Sequence, residues 1–143
     1  MIKYHKDMTS PTGLKDIFVF GSNLAGRHGA GSAKAAMDHF GAEWGVSDGP
    51  TGHAYAVPTV DTNIHPLPLK FITLCVNELI HYAAIHREVT FFVTRIGCGI
   101  AGFDDEEMAS LFRKTVSYGF NNFDFPEEWK PFLEEDSTNG EQS

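Results

Sequence analysis

The stretch IFVFGSNLAGRHGAGSAKAA, Ile17 to Ala36, constrains this chain more than any other. Its four opening apolar residues, Ile17 to Phe20, suit a strand buried on both faces of a sheet. The run empties at Gly21 into a loop that carries Gly26, Gly29 and Gly31, after which Ala33, Ala35 and Ala36 give a helix small enough to approach neighbouring backbone. A second stretch, VTRIGCGIAGF from Val93 to Phe103, repeats the plan: strand residues, then Gly97, Gly99 and Gly102, then a helix starting near Asp105. Two strands that both end in glycine loops predict one cleft, at the carboxyl ends of the strands of an α/β sheet.

The rest of the chain fits that scheme. Ile2 to His5 reads as a short strand, followed by the turn-rich KDMTSPTGLKD. Ser32 is the expected N-cap of a helix running through Phe40 and ended by Gly41. Gly45 to Gly52 reads as loop, and HAYAVP as a short strand stopped by Pro58. A Pro- and Asn-containing connection then runs through Pro68, long enough to be functional. Ile72, Val76, Leu79, Ile80 and Ala83 fall at helical spacing within Leu69 to His86, and Val89 to Val93 follows as a buried strand. Asp104 is placed to cap the third helix with Glu107 completing a capping box, and Met108, Leu111, Phe112 and Thr115 form its buried stripe. NNFDFPEEWKPFL adds an edge strand and a short turn packed by Phe123, Phe125, Trp129 and Phe132. Strands alternating with helices predict one α/β domain over residues 1–132, with an acidic disordered tail over 133–143.

Composition narrows the partners. At 143 residues, 42% hydrophobic and 13% aromatic, the chain can fill a core without staples. The net charge of -8 argues against a broad nucleic-acid surface or an anionic membrane surface, leaving room only for a local basic site. Cys75 and Cys98 lack metal spacing and disulfide density and read as reduced thiols; no two histidines have metal spacing. The opening MIKYHKDM has no apolar signal core and no run is long enough to cross a bilayer, so a soluble cytoplasmic protein without metal or cofactor is expected.

The glycines point to chemistry. Gly21, Gly26, Gly29 and Gly31 leave backbone N–H groups unobstructed before a helix N-terminus, where the dipole is positive, which makes a phosphate-sized anion site. Gly97, Gly99 and Gly102 do the same, so two loops can clamp the two phosphates of a diphosphate. Tight turns and close helix packing are the other use of such glycines. Neither loop ends in Gly-Lys-Ser/Thr and neither is a strict dinucleotide fingerprint, which argues against nucleoside triphosphate hydrolysis.

GRHGAGSAKAAMDHFGA and RIGCGIAGF resemble the two ligand loops of macrodomains, nearest the class of the terminal ADP-ribose protein glycohydrolase, where MGAGIA and RIGCGL segments occur. The opening IKYHKDMTSPTGLKDIFVFGSN is similar to the macrodomain start, and the likeness spans roughly residues 1 to 115. It implies a three-layer α/β/α macrodomain-like fold with a mixed central sheet, binding ADP-ribose or a related nucleotide derivative, free or on an ADP-ribosylated macromolecule. On that resemblance Asp7, with Met8 beside it, takes the adenine-recognising position and Asn23 lies beside the distal ribose, with Gly21 and Ser22 before it also among the ligand-binding residues. His28, Gly29, Ala30, Gly31, Ser32 and Ala33 line the distal ribose and diphosphate, and Gly97, Cys98, Gly99, Ile100, Ala101, Gly102 and Phe103 wrap the other side. Phe103 can equally be a core aromatic, Asp7 a solvated turn residue and Asn23 a turn cap.

For chemistry the resemblance is less complete. Lys34 stands where one hydrolase group has a catalytic aspartate, and Ala101 where the nearest class has an acid. Asn23 and Asp104 are the candidate catalytic residues for hydrolysis of an ADP-ribosyl linkage or of ADP-ribose phosphate, although Asp104 is also explained as a helix cap. Two rivals stand beside the hydrolase: a non-catalytic module that sequesters or senses a nucleotide signal, and another Rossmann-like nucleotide enzyme.

Overall fold

Side-chain alternation along three strands sorts the core into two halves in the computed structural model, which describes residues 2–134. Strand β2 (Ile17–Asn23) sends Phe18 and Phe20 to one face and Val19 to the other. Strand β4 (Ala54–Val60) sends Ala54 and Ala56 to the first face and Tyr55 and Val57 to the second, and β5 (Phe91–Val93) divides Phe92 from Phe91 and Val93 in the same way. Burial on both faces explains why these strands read as continuous apolar runs rather than alternating ones.

Helix α1 (Gly31–His39) covers the first face, packing Ala33 and Ala36 against Phe18, Phe20, Ala54 and Ala56. Helix α2 (Leu69–Ile85), with α3 (Asp105–Ser110) and α4 (Arg113–Ser117), covers the second, where Ile72, Val76, Leu79, Met108 and Phe112 are wholly buried. Each such side chain contributes roughly 1.5–3 kcal/mol from burial. The sheet is completed by β1 (Lys3–His5), β3 (Gly49–Thr51) and β6 (Phe123–Pro126), in the order β1-β6-β5-β2-β4-β3. All pairings are parallel except β3 with β4, so the result is a mixed six-stranded sheet between helical layers, the three-layer α/β/α class expected. Among the described residues no helix is long and apolar enough to cross a membrane.

Several boundaries depart from expectation for physical reasons. α1 starts at Gly31, with Ala30 rather than Ser32 at the cap position and no side chain capping it. Pro58 does not stop its strand: β4 continues to Val60, and the register with β2 shifts between Ser22 and Asn23, where Ser22 faces Pro58 and Asn23 faces Val60. A bulge of this kind tolerates a residue without an N–H. The loop 45–52 contains β3, and the strand expected at the edge, β6, lies inside the sheet between β1 and β5. The third helix divides at Leu111 and Phe112, whose N–H groups bond the tighter i−3 carbonyls of Met108 and Ala109, while the Thr115 hydroxyl takes the Phe112 carbonyl. Beyond the 3-10 turn Glu127–Trp129, residues 130–134 are helical. Leu133 is buried and the Tyr4 hydroxyl donates to the Glu134 carboxylate, so the chain stays packed past 132; the remainder of the expected tail, 135–143, lies outside the described residues.

Candidate functional site

At the carboxyl end of β2 the chain folds back on itself through Asn23. The Asn23 side-chain oxygen accepts from the Arg27 N–H (3.0 Å), its amide donates to the Arg27 carbonyl (2.9 Å), and its own carbonyl accepts from Gly26 N–H (2.9 Å). Gly26 takes φ 68° and lies so close to the segment around Trp44 that an added Cβ would sit 2.4 Å from the Gly45 carbonyl carbon. The segment is pinned there by Gly45 N–H to the Gly26 carbonyl (2.8 Å), by His28 Nε2 on the Glu43 carbonyl (2.9 Å), and by the Ser22 hydroxyl donating to the Ser47 carbonyl. The packing carries Trp44, 59% exposed, to the wall of the cleft.

The second loop leaves β5 with the Thr94 hydroxyl bonded to the Val19 carbonyl (2.8 Å). Two turns follow, closed by Cys98 N–H on the Arg95 carbonyl (3.2 Å) and Gly102 N–H on the Gly99 carbonyl (3.0 Å). Gly97 faces inward, where a Cβ would meet Met108 Sδ at 2.8 Å; Gly99, Gly29 and Gly31 would meet nothing within 4 Å. The glycines therefore serve two ends, packing at Gly26 and Gly97 and open space at Gly29, Gly31 and Gly99.

Between the loops lies a cleft of about 610 Å³, within the range of small-molecule sites. Its walls come from Gly21 to Asn23, Arg27, Gly29 to Ala33, Trp44, the β4 end and following turn (Thr59, Val60, Thr62, Ile64), Arg95 to Gly97, and Gly99 to Ala101. The turn that carries Ile64 at φ 65° is held by Asp61, whose carboxylate accepts from Asn63 N–H (2.8 Å) and His65 N–H (3.0 Å). Two arginines face the cleft and, among the described residues, no lining residue is acidic, in a chain of net charge -8. The uncapped N-terminus of α1 adds unpaired N–H groups at the same place.

The two arginines differ. Arg95 makes a two-pronged pair with Asp105 (Nε–Oδ1 3.0 Å, Nη2–Oδ2 2.8 Å), and its Nη1 donates to Asp7 Oδ2 (3.0 Å). The Arg27 guanidinium has no such carboxylate partner among the described residues and is exposed. Asp105 also accepts from Trp129 Nε1 (2.8 Å) and from Cys98 Sγ (3.4 Å). Burial works against its charge, but Arg95, Trp129 and Cys98 together outweigh that and hold its carboxyl below the usual range. Burial, with Asp105 beside it, pushes the Cys98 thiol up to about 12.

Of the residues expected at the site, Gly21, Ser22, Asn23, Gly29, Ala30, Gly31, Ser32, Ala33, Gly97, Gly99, Ile100 and Ala101 come together on the cleft. Seven do not line it. His28 is fully buried against Phe20, with Nδ1 unpartnered, because its ring serves to dock the Trp44 segment. Cys98 turns to Asp105, Phe103 packs on the core, and Gly102, at φ 80°, closes the turn. Asp104 completes the capping box with Glu107 (Oδ1 to Glu107 N–H 2.8 Å, Glu107 Oε1 to Asp104 N–H 3.1 Å). Asp7 reaches the site only through Arg95, and Met8 is 94% exposed at φ 65°. Sequence reasoning missed Arg27, Trp44, Thr59, Val60, Thr62, Ile64, Arg95 and Ile96. A signal existed for the arginines, each lying among the glycines of a loop, but none for Trp44, which arrives through tertiary packing. Among the described residues no cluster of three or more His, Cys, Asp or Glu is placed to hold a metal ion.

No protein-family model matches the chain, and no curated protein matches it. Solved structures do. The macrodomain of Mycobacterium tuberculosis DarG superposes with a TM-score of 0.68 at 19% identity, covering 88% of this chain and 97% of that one. A protein of unknown function from Bacteroides thetaiotaomicron gives 0.63 at 18% identity, over 88% and 97% of the two chains. A further protein from the same organism gives 0.62 at 18%, over 88% and 99%. With the mixed six-stranded sheet and the loops at its strand ends, these likenesses show that the chain has the macrodomain fold.

Proposed function

We propose that this protein is a binding module for ADP-ribose or a closely related nucleoside diphosphate sugar. The observation that carries the reading is the charge of the cleft: in an acidic protein no carboxylate of the described residues lines the walls, while Arg27, without a carboxylate partner among them, and the uncapped N-terminus of α1 do. Such a surface favours an anion, and the open space at Gly29, Gly31 and Gly99 lets phosphate oxygens reach backbone N–H groups. The macrodomain resemblance supplies the rest: diphosphate between the loops, distal ribose beside Asn23, adenine toward Asp7.

Non-catalytic binding is the better supported half. Among the described residues the walls include no carboxylate, imidazole or thiol to act as general base or nucleophile, and Asp104 is engaged as a helix cap away from them. Hydrolysis of an ADP-ribosyl linkage or of ADP-ribose phosphate is the second reading, and Asn23 favours it. Its amide retains one N–H and one lone pair after bonding Arg27, enough to orient a water or a ribose hydroxyl.

Tryptophan fluorescence tests the proposal, because Trp44 stands exposed on the cleft and Trp129 is buried. ADP-ribose should change the emission saturably and raise the melting temperature by mass action, at 100 Kd by about 2.7 kcal/mol of added stability. Absence of both effects at millimolar ligand would sink the binding claim. Turnover of an ADP-ribosylated substrate that is lost in Asn23→Ala while affinity is kept would establish the second reading.

A further inference from the structure

We propose that Arg95 is the positioning residue of the adenine subsite, acting by holding Asp7 in place rather than by touching phosphate; the inference rests on the reading of the cleft as an ADP-ribose site. The turn that carries Asp7 has little else to fix it. Residues 6–10 are all exposed, Met8 stands at φ 65°, a strained conformation for a long side chain, and the turn closes only on itself, through Thr9 N–H and hydroxyl on the Lys6 carbonyl (3.3 and 2.6 Å). Among the described residues, the bond from Arg95 Nη1 to Asp7 Oδ2 is the hydrogen bond that joins this turn to the body of the protein.

Arg95 can do this because it is itself fixed. Its Nε and Nη2 fork onto both oxygens of Asp105, which sets the plane of the guanidinium and so the direction of Nη1. Asp105 is anchored in turn by the indole N–H of Trp129, a side chain wholly buried in the core. The chain of contacts runs from core to Trp129, Asp105, Arg95 and Asp7. At its end, Asp7 Oδ2 holds Arg95 and Oδ1 accepts from Met8 N–H (3.0 Å), which leaves a lone pair on each oxygen for an exocyclic amino group.

Charge separates Arg95 from Arg27. The group Asp7–Arg95–Asp105 sums to one negative charge, so it offers a diphosphate no net attraction, whereas Arg27 has no carboxylate partner among the described residues. A lysine at 95 would keep the charge but could not fork onto Asp105 and reach Asp7 together.

The test compares ADP-ribose with its inosine counterpart, which carries an oxygen in place of the adenine amino group, on the full chain. Wild type should prefer ADP-ribose, and Arg95→Ala should weaken ADP-ribose binding about tenfold, the worth of one oriented hydrogen bond to a charged group, with the inosine ligand little changed. Arg95→Lys should lose the preference as well, because geometry and not charge sets it. Equal losses for both ligands would mean that Arg95 meets the diphosphate directly or acts through folding, and an unchanged ratio would overturn the proposal. A ligand-free measurement stands beside it: backbone ¹⁵N order parameters of Asp7 to Thr9 should fall below about 0.6 in Arg95→Ala. If they stay at the wild-type level the positioning role is refuted, even if ADP-ribose proves not to bind. A fall there with no binding by wild type would instead overturn the proposed function and leave the Arg95 tether standing.

Discussion

Gly97 and Gly99 lie two residues apart in one loop, yet substitution should act on different properties at each. Gly99 is exposed, its φ lies outside the left-handed region, and a Cβ there meets nothing within 4 Å. Gly99→Val therefore introduces no clash in the free protein and removes some freedom from the unfolded chain. The net change in stability should stay within about 1 kcal/mol, or about 2–4 °C in melting temperature for a chain of this size. Bound ligand is another matter, since the two valine methyls would occupy the space through which a phosphate reaches the loop. Losing two charge-assisted hydrogen bonds at about 1.5–3 kcal/mol each removes about 3–6 kcal/mol, two to four orders of magnitude in affinity. Gly97→Ala should do the reverse, because φ 76° and a Cβ 2.8 Å from Met108 Sδ strain the fold by about 1–3 kcal/mol while the cleft face is untouched. Calorimetric titration with ADP-ribose, paired with thermal melts of both variants, measures the two effects separately. Retention of wild-type affinity in folded Gly99→Val would place the ligand elsewhere and refute the reasoning.

The thiols and the half-buried Asp105 carboxylate supply further tests. Cys75 and Cys98 are both pushed up to about 12, chiefly by burial, so native protein at pH 7.5 should react with iodoacetamide far more slowly than unfolded protein does; fast labelling of Cys98 would contradict that shift and show a reactive thiolate. For Asp105, a carboxyl held low in the folded state, the stability it contributes is complete above the carboxyl's unfolded value and is lost as pH falls through the folded one. Asp105→Asn should melt below wild type at pH 7, with the gap closing as the pH falls below the usual carboxylate range. A gap independent of pH would show that the pairing with Arg95 contributes through shape and not charge.

The parts of the fold that were legible in the sequence are those in which one residue type answers one local demand. Ile17 to Phe20 read as a strand because both its faces are buried, and Asp104 with Glu107 read as a capping box because that motif is complete within four residues. What was not legible depends on partners distant in the chain. Pro58 looked like a stop because the bulge that admits it is formed with Ser22 and Asn23 on another strand. β6 looked like an edge because nothing local announces that β1 will pair on its far side. The same division runs through the site: the glycine loops were visible, while Trp44 comes to the cleft through the close approach of Gly26 to Gly45, and Arg95 gains its meaning from Asp7, 88 residues earlier.

The pairing of β1 with β6 also bears on how the protein is made. Lys3, Tyr4 and His5 face Asp124, Phe125 and Pro126 in parallel register, so of the six strands of this sheet the earliest in sequence waits for the latest before it has a partner. Until then β2, β4 and β5 can assemble with α1 and α2, while the opening residues and the Asp7 turn remain unpaired. Contacts of such long sequence separation form late and slow folding. The Asp7 turn, which follows β1 directly, would thus settle only after β6 has been made, and a nascent chain halted before Phe123 would hold both glycine loops yet lack the partner strand of β1.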